Sequence, residues 1–327
     1  MTRISVAMCT YNGGGFLPEQ LTSIAMQNRL PDELVVCDDG SSDDSLELLQ
    51  RFADQVSFPV RIIRNAENLG SSRNFEKGIS LSRGDILVLA DQDDIWYPHK
   101  LELLERCFTT KPAACVAAFS DADMVDRVSR PLHQTLWNAV GFTAGERQRF
   151  AAGYGWNVLI KHPVVTGATL AFRRDQCSYL LPIHEGIAHD RWISFLLSVR
   201  GEIALVADPL IQYRTHRQQQ IGVEAQGVRK RVQQARRRGD DFYRLEIEFL
   251  RRVCDRMEEC RRLLPSAADA IGEARRKISH LENRVRSRRR NGMRVPDVLR
   301  EVFNRGYWKY SAGWESVAKD LFRLGAL

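Results

Sequence analysis

The sequence lacks the features that place a protein in a membrane or in an oxidising compartment. None of its apolar runs approaches the roughly 20 residues that a helix needs to span a bilayer, and its start, MTRISVAMCTYN, shows no signal-peptide pattern. The seven cysteines form no CxxC pair and lie mostly in apolar segments, which is typical of small buried side chains and indicates neither a disulfide framework nor a zinc site. We therefore expect a globular protein of the cytoplasm.

Positive charge is scarce in the first two thirds of the chain and concentrated in the last third. Residues 1–223 contain 22 Lys and Arg against 26 Asp and Glu, whereas residues 224–327 contain 26 against 15. The formal net charge of +7 is thus carried by the C-terminal part. We predict two domains with different partners, divided between residues 223 and 224.

Short β-rich runs alternate with helical patterns in the first part. Apolar runs predict strands, buried on both faces, at residues 4–9, 33–37, 60–64, 86–90 and 115–119. Between them, apolar residues recur three or four positions apart, as they do in helices. This alternation predicts an α/β fold with right-handed βαβ units and a mostly parallel central sheet flanked by helices.

From about residue 225 the pattern changes to long amphipathic helices. One apolar stripe runs from Phe242 to Leu264 and another from Ile271 to Val285, which predicts an α-hairpin with Ser266 capping its second helix. A last amphipathic segment, residues 306–324, is predicted to place Trp314 and Val317 on one apolar face. We expect a C-terminal helical appendage.

Polar clusters follow three of the predicted strands at the point where each strand ends. They are TYNG (10–13), DDGSS (38–42) and DQDD (91–94). Ligands of open α/β sheets bind beyond the carboxyl ends of the strands, so these clusters predict one ligand site.

The DQDD cluster crowds three carboxylates into four positions. Neighbouring carboxylates raise one another's pKa unless a cation compensates their charge. Mg²⁺ and Mn²⁺ take oxygen ligands and commonly combine one or two carboxylates with substrate phosphates. We interpret Asp91 and Asp93 as holders of a metal that bridges a diphosphate, and a solvated acidic turn is the alternative.

Several motifs occur in a fixed order between residues 3 and 222: SVAMCTYNG, VVCDDGSSDDS, NLGSSRN, GDILVLADQDDIW, TGATLAF, HDRW and YRTH. Together they resemble the family 2 glycosyltransferases. The resemblance implies a GT-A type nucleotide-diphospho-sugar transferase fold for residues 1–223. It also implies inverting transfer of a sugar from a UDP- or dTDP-sugar. DQDDIW and HDRW look most like rhamnosyltransferase-like members, which favours dTDP-rhamnose.

The resemblance implies a role for each residue of the donor site. Tyr11 would lie against the pyrimidine ring, and Asp39 would accept the imide N–H of uracil or thymine. Ordinary packing for the Tyr11 ring and a helix cap for Asp39 are the alternatives. The other expected nucleotide-sugar contacts are Thr10, Asn12, Asn68, Arg73 and Asp91.

The metal and the reacting groups are also implied by the resemblance. Asp93 would bind Mn²⁺ or Mg²⁺ directly beside Asp91, and His216 would add a ligand that favours Mn²⁺, although a lone His among Arg and Gln is more often solvated. Asp190 of HDRW would be the general base, with a helix-start cap as a compatible role. Many relatives have Glu where this chain has His189. The expected acceptor contacts are Thr166, Gly167 and Trp192, with a core position as the alternative for Trp192.

The remaining expectations concern acceptor and partners. The acceptor would be a saccharide or lipid-linked glycan of surface polysaccharide biosynthesis, and residues 137–156 are interpreted as a mobile acceptor loop. The basic helices and aromatic residues near the C-terminus suit peripheral contact with an anionic membrane surface at the inner face of the cell membrane, and homo-oligomer contacts are the alternative. No nucleic-acid module appears, so we expect no nucleic-acid partner.

Two other classes of function remain open. A nucleotide-binding scaffold without catalysis would need no separate base. A nucleotidyltransferase would use metal and nucleotide but release pyrophosphate, and the motif at residue 190 fits it poorly.

Overall fold

A computed structural model describes residues 2–110, 115–216, 240–264, 267–289, 295–303, 306–311, 313–314 and 316–317. They form two compact units, one within Met1–Gly155 and Val164–Ala225 and the other within Trp156–Pro163 and Gln226–Leu327. The predicted division between residues 223 and 224 and the predicted cap at Ser266 lie outside the described residues. No helix in the described part of the chain is long and apolar enough to cross a membrane.

The first unit begins with three strand–helix repeats and a fourth strand, as the sequence predicts. Their apolar runs form strands because both faces are covered, and all five side chains of the fourth strand are fully buried. Each buried Val, Leu or Ile contributes about 1.5–3 kcal/mol relative to exposure. The elements are β1 (Ile4–Thr10), α1 (Leu17–Ala25), β2 (Glu33–Asp38), α2 (Ser45–Ala53), β3 (Val60–Arg64), α3 (Ser71–Leu81) and β4 (Ile86–Ala90).

The chain up to residue 214 then combines short helices with longer strands. The elements that follow in chain order are β5 (Ile95–Trp96), α4 (Lys100–Thr110), β6 (Cys115–Val125), β7 (Pro131–Thr135), α5 (Leu136–Val140), α6 (Ala144–Arg149), α7 (Gly155–Leu159), β8 (Leu170–Arg173), α8 (Cys177–Leu180), α9 (His189–Arg200) and β9 (Glu202–Arg214). Among the described residues the strands form one sheet in the order β3-β2-β1-β4-β8-β6-β9-β5, with β7 beside β6.

The sheet is mixed, which modifies the expectation of a mostly parallel one. β1 pairs in parallel with β2 and β4, β2 pairs in parallel with β3, and β6 with β9. β8, however, lies antiparallel between β4 and β6, and β5 and β7 are also antiparallel to their neighbours. β3 is an edge strand and is only partly buried, so the prediction of burial on both faces was wrong for it.

Residues 137–156 are mostly helical, so their interpretation as a loop was wrong, while their mobility and their contact with an acceptor stay predictions. Trp137, Phe142 and Phe150 are buried and pack against Phe119 of β6, with ring centroids 5.4–6.0 Å from that of Phe119. Thr143 and Glu146 form a capping box at the start of α6. Aromatic burial of this kind contributes several kilocalories per mole and holds the segment on the sheet.

The second unit contains the predicted α-hairpin. Besides most of α7, its described helices are α10 (Asp240–Glu259), α11 (Ala267–Arg289), α12 (Val295–Phe303) and α13 (Gly306–Tyr310). The ion pairs Arg251–Glu282 and Arg275–Glu258 connect α10 and α11 in antiparallel register. Trp314 is exposed whereas Val317 is buried, and the rest of the apolar face predicted for residues 306–324, from residue 318 onward, lies outside the described residues.

One side of α11 is a buried row of charged and polar residues that the sequence pattern did not indicate. Glu273, Lys277, His280 and Arg284 recur at helical spacing and are each at most 3% exposed. Lys277 Nζ donates to Glu246 Oε1 at 2.6 Å, and His280 Nδ1 lies 2.6 Å from Glu301 Oε2. Because these groups are paired, their burial is compatible with a folded unit.

Candidate functional site

The acidic loop between β4 and β5 is the centre of the candidate site. Asp91 is partly buried, and Asp93 and Asp94 are buried. Burial raises the pKa of Asp91 to about 7, with further increases from the negative charges of Asp93 and then Asp190. The loop therefore holds crowded negative charge that a cation would stabilise.

Asp93 and His216 are brought together by the fold. His216 follows the end of β9, and its Nε2 lies 2.7 Å from Asp93 Oδ2. The imidazole stacks on Phe16 with ring centroids 4.5 Å apart, which fixes the ring's orientation. The alternative of a solvated His216 does not hold in this structure, because its side chain is only 5% exposed.

The acids fit a site that is completed by substrate. Within the described residues, no group of three His, Cys, Asp or Glu side chains forms a ready-made metal cage. Mg²⁺ and Mn²⁺ sites in which phosphate oxygens and water supply the other ligands need only one or two protein carboxylates. Asp93 with the adjacent His216, and Asp91 in the same loop, are the residues that would supply such ligands.

Gln92, between the two acids, binds the end of β1. Its Oε1 accepts hydrogen bonds from Thr10 Oγ1 at 2.7 Å and from the Tyr11 backbone N–H at 2.8 Å. A Cβ at Gly13 would lie 2.3 Å from the same oxygen, so this approach requires glycine. Tyr11 is 40% exposed. The acidic loop and the predicted base-stacking residue are therefore one connected structure.

Asp39 is 3% exposed and organises the loop before α3. Its Oδ1 accepts from Asn65 Nδ2 and the Leu69 N–H, both at 2.8 Å, and its Oδ2 accepts from the Gly70 N–H at 2.9 Å. A carboxylate oxygen can accept two hydrogen bonds, so Oδ2 keeps one acceptor position. Asp39 is not a helix cap in this structure. The contact with a base stays a prediction.

Three further predicted donor contacts are Asn12 and Asn68, in loops beside Asp39, and Arg73, in the first turn of α3. Asn12 Oδ1 accepts from the Ser42 N–H at 2.8 Å and so links the loops after β1 and β2. Asn68 Nδ2 donates to the Asp39 carbonyl at 3.2 Å. Arg73 is half-exposed, with Nη1 3.7 Å from Glu76 Oε1. The two asparagines thus have structural roles that the sequence did not indicate.

Asp39, Asp91 and Asp190 belong to one electrostatic neighbourhood. Burial is the main cause that raises the pKa of the Cys9 thiol, and Cys37, Asp91 and Asp39 add to it. Asp190 acts in the same direction on Asp91. The acids that the sequence assigned to donor, metal and proton transfer therefore converge at the same end of the sheet.

The base candidate lies at the start of α9. Asp190 Oδ2 accepts from the Gly167 N–H at 3.3 Å, and its Oδ1 accepts from the N–H of Arg191 at 2.7 Å; the helix cap position is Ala188, so Asp190 is not the cap that the sequence allowed. Thr166 precedes Gly167, and its carbonyl accepts from Thr169 to close the turn. Two of the three predicted acceptor residues thus adjoin Asp190.

The structure corrects the acceptor role predicted for Trp192. Its indole is 3% exposed, and Nε1 donates to the Leu180 carbonyl at 2.7 Å. A ring with both faces packed and its N–H satisfied cannot stack on a sugar. Trp192 belongs to the core, which the sequence left as the alternative.

Residues 5–175 match the family model described as Glycosyl transferase family 2. The chain belongs to this family. Comparison with curated proteins gives relatives of the same kind. An uncharacterized glycosyltransferase of Nostoc sp. is 26% identical over 65% of this chain and 65% of its own length. The dTDP-rhamnosyl transferase RfbG of Shigella flexneri is 27% identical over 66% of this chain and 73% of its length. The chain thus spans less than two thirds of the Nostoc relative.

Other relatives are similar over shorter regions. The abequosyltransferase RfbV of Salmonella typhimurium is 33% identical over 31% of each chain. Among solved structures, residues 1–349 of S. aureus TarS in complex with UDP-GlcNAc superpose with a TM-score of 0.55 at 15% identity, covering 98% of this chain and 93% of that one. This likeness shows the fold, which is the GT-A type that the motifs imply.

Two cations of this family 2 chain were missed by sequence reasoning. Arg214, at the end of β9, is 2% exposed; its Nε donates to the Asp93 carbonyl at 2.7 Å, and its Nη2 pairs with Glu19. Lys100, at the start of α4, is fully buried. Burial lowers its pKa to about 7, and Asp94 and Asp91 oppose that shift. Their burial sets these two residues apart from the chain's many exposed basic residues, and the sequence pattern does not reveal that burial.

Gln92→Met tests the link between the acidic loop and Tyr11. Methionine keeps the length but removes the acceptor of two hydrogen bonds, and leaving a buried donor unsatisfied costs about 1–3 kcal/mol. We expect the KM for the nucleotide-sugar to rise several-fold, while the Mn²⁺ concentration for half-maximal activity changes little. Steady-state kinetics with Gln50→Met, an exposed glutamine of α2, as the control would check this. An unchanged KM for the nucleotide-sugar would contradict the role of Gln92 in linking the acidic loop to Tyr11.

Proposed function

We propose that this chain is a metal-dependent inverting glycosyltransferase that uses a UDP- or dTDP-sugar. The observation that carries the proposal is the convergence of two kinds of acid. Asp91 and Asp93 crowd one loop, while Asp190 lies on another element yet acts electrostatically on Asp91. Sugar transfer needs both groups, because charge must be compensated at the leaving diphosphate and a proton removed from the acceptor.

The donor would bind at the ends of β1, β2 and β4. Tyr11 presents a partly exposed ring to a pyrimidine, and Asp39 keeps one acceptor position for the imide N–H of uracil or thymine. Cytosine has no such N–H, so this contact favours UDP and dTDP donors. Arg73 adds an exposed positive charge near the start of α3.

Asp91, Asp93 and His216 would hold Mn²⁺ or Mg²⁺. A bound divalent cation supplies charge stabilisation for the departing diphosphate without proton transfer. The imidazole in this donor set favours Mn²⁺. Arg214 fixes the carbonyl of Asp93, and Gln92 fixes the loop against β1.

Asp190 would take the proton of the acceptor hydroxyl. Its Oδ2 receives one weak hydrogen bond from Gly167, at 3.3 Å, and so keeps acceptor capacity for a substrate hydroxyl. His189 beside it is buried, and burial lowers the pKa of its imidazole, which favours the neutral form. A neutral neighbour leaves the carboxylate free of a competing ion pair.

The sugar and the acceptor are inferred from the relatives. The similarity to a dTDP-rhamnosyl transferase makes dTDP-rhamnose the first donor to test. The acceptor would be a saccharide or lipid-linked glycan of surface polysaccharide biosynthesis. Peripheral membrane contact is supported by exposed Trp308 and Trp314, whose rings lie 5.1 Å apart, and by the basic C-terminal part.

Stabilisation by ligand tests the donor assignment. Binding to the native state raises stability by about 2.7 kcal/mol at a hundredfold excess over Kd, so we expect a Tm rise of several degrees. The protein would be heated with UDP, dTDP, CDP, UDP-glucose, UDP-GlcNAc and dTDP-rhamnose, each with Mn²⁺ or with EDTA. The rise should require Mn²⁺ and be absent for CDP. No rise with any nucleotide would contradict the proposal.

The alternative of a catalytically inactive scaffold predicts a different result. A scaffold could bind nucleotide but would not release it from a nucleotide-sugar. Mn²⁺-dependent release of UDP or dTDP therefore separates the two functions. Release of pyrophosphate from a nucleoside triphosphate would instead indicate nucleotidyl transfer.

A further inference from the structure

Lys100 is a fully buried lysine behind the acidic loop, and the proposed function gives it no role. Its Nζ donates to the Ala168 carbonyl at 2.7 Å and lies 3.7 Å from the centroid of the Trp96 ring. The positive charge also acts on Asp91 and Asp94, and it opposes the increase in the pKa of both. A buried ammonium is tolerated only when such partners compensate its desolvation.

The carbonyl that Lys100 binds belongs to the turn that contacts the base. This turn, Gly167–Thr169, offers the Gly167 N–H to Asp190 Oδ2. His189 also lies against this turn, since a Cβ at position 167 would be 2.5 Å from the His189 Nε2. The turn therefore contacts both Lys100 and His189, and its Gly167 N–H is directed at Asp190.

The connections form a continuous path through four groups. Asp91 and Asp94 lie within the electrostatic reach of Lys100, Lys100 holds the carbonyl of Ala168, and the Gly167 N–H of the same turn reaches Asp190 Oδ2. Both ends of the path are acids that the proposed function uses or adjoins. Within the described part of the chain, no hydrogen bond joins Lys100 to Asp190 itself.

We infer that Lys100 is a positioning residue that holds the 167–169 turn, and through it Asp190, in fixed register with the acidic loop. The inference rests on the proposed function, because it takes Asp190 as the base. It predicts two separate effects of removing the Lys100 ammonium. Losing the ammonium must impair turnover through Asp190, and it must leave the acidic loop more negative.

Lys100→Met tests both effects, because methionine keeps an apolar stem and removes the charge. We expect the turnover for Mn²⁺-dependent release of UDP or dTDP to fall about tenfold or more, because small displacements of a reacting group lower the rate by such factors. The donor KM should change less than twofold. The Mn²⁺ concentration for half-maximal activity should fall several-fold, because a nearby positive charge has been removed. Replacing a lysine that only fills space would not lower the turnover and also lower the Mn²⁺ concentration needed for half-maximal activity.

A double-mutant cycle with Asp190→Asn decides whether the effect passes through the base. In the Asp190→Asn background, Lys100→Met should cost no further turnover, although the shift in Mn²⁺ dependence should persist. An equal loss in both backgrounds would overturn the inference and leave the proposed function intact. Wild-type turnover in Asp190→Asn alone would instead remove the base assignment and the inference with it.

Gly167→Ala provides a second route if Lys100→Met does not fold. The new methyl group meets His189 and displaces the turn without removing a charge. Turnover should fall while the Mn²⁺ dependence stays at the wild-type value, and Gly167→Ala combined with His189→Ala should recover part of the turnover. Unchanged turnover in Gly167→Ala would overturn the inference.

Discussion

Asp190→Asn is expected to lower turnover by about 10²–10⁴-fold, the range that general acid–base catalysis contributes. Asparagine keeps the size and can still accept from the Gly167 N–H, which now lies 3.3 Å from the carboxylate. It cannot take a proton at neutral pH. Because the packing is retained, the Tm should move little and the donor KM should stay close to the wild-type value.

The measurement is single-turnover release of UDP or dTDP, with excess enzyme so that slow variants remain visible. Asp208→Asn, at an exposed position on β9, makes the same chemical change away from the site and serves as the control. A loss confined to Asp190→Asn supports a base. Equal small losses in both variants would show that a carboxylate at residue 190 is dispensable.

Asp93→Ala is expected to abolish measurable metal-dependent activity, with a loss of about 10³-fold or more. The variant removes a carboxylate that we assign to the cation, and such electrostatic stabilisation is usually the largest single contribution to catalysis. It also removes the partner that lies 2.7 Å from His216 Nε2. The Tm in EDTA should not fall correspondingly, because crowding by Asp93 raises the pKa of Asp91 and its removal relieves repulsion.

Mn²⁺ titration of activity and of Tm checks this prediction. The wild-type protein with nucleotide should gain stability as Mn²⁺ is added, and Asp93→Ala should gain none. Asp54→Ala, an exposed residue after α2, is the charge-matched control. Full activity of Asp93→Ala in Mn²⁺ would refute the metal role, and activity of the wild type in EDTA would refute metal dependence altogether.

The first half of the fold could be predicted from the sequence because its strands are mostly buried on both faces. A short continuous apolar run such as residues 86–90 is typical of a strand inside a sheet, and the observed strand has the same bounds. Asp91 and Asp93 could be located for the same reason, since they follow that strand directly. Asp190 and His216 depended on the family resemblance, because no local pattern connects them with β4.

The rest of the site depends on contacts between residues far apart in the chain. Gln92 meets Tyr11 across 81 positions, Lys100 meets Ala168 across 68, and Arg214 meets Asp93 across 121. Periodicity contains no information about such pairs. The antiparallel insertion of β8 was missed likewise, because a strand of four residues does not by its sequence specify a direction. Trp192 was misassigned for a related reason: it lies two positions after the proposed general base Asp190 in the sequence, yet its side chain is buried in the core.

The ionic row along α11 has a consequence for how the C-terminal helices can be altered. A helix that packs through apolar residues can shift along its axis at little free-energy cost, because one methyl group takes the place of another. A displacement of α11 by one turn, about 5.4 Å, would separate Lys277 from Glu246 and His280 from Glu301 together. A misaligned α11 would leave buried charges unpaired, and this costs more free energy than the correctly formed pairs contribute to stability. An insertion of a single residue into this helix should therefore be far less tolerated than the replacement of its one leucine, Leu281, by another apolar residue.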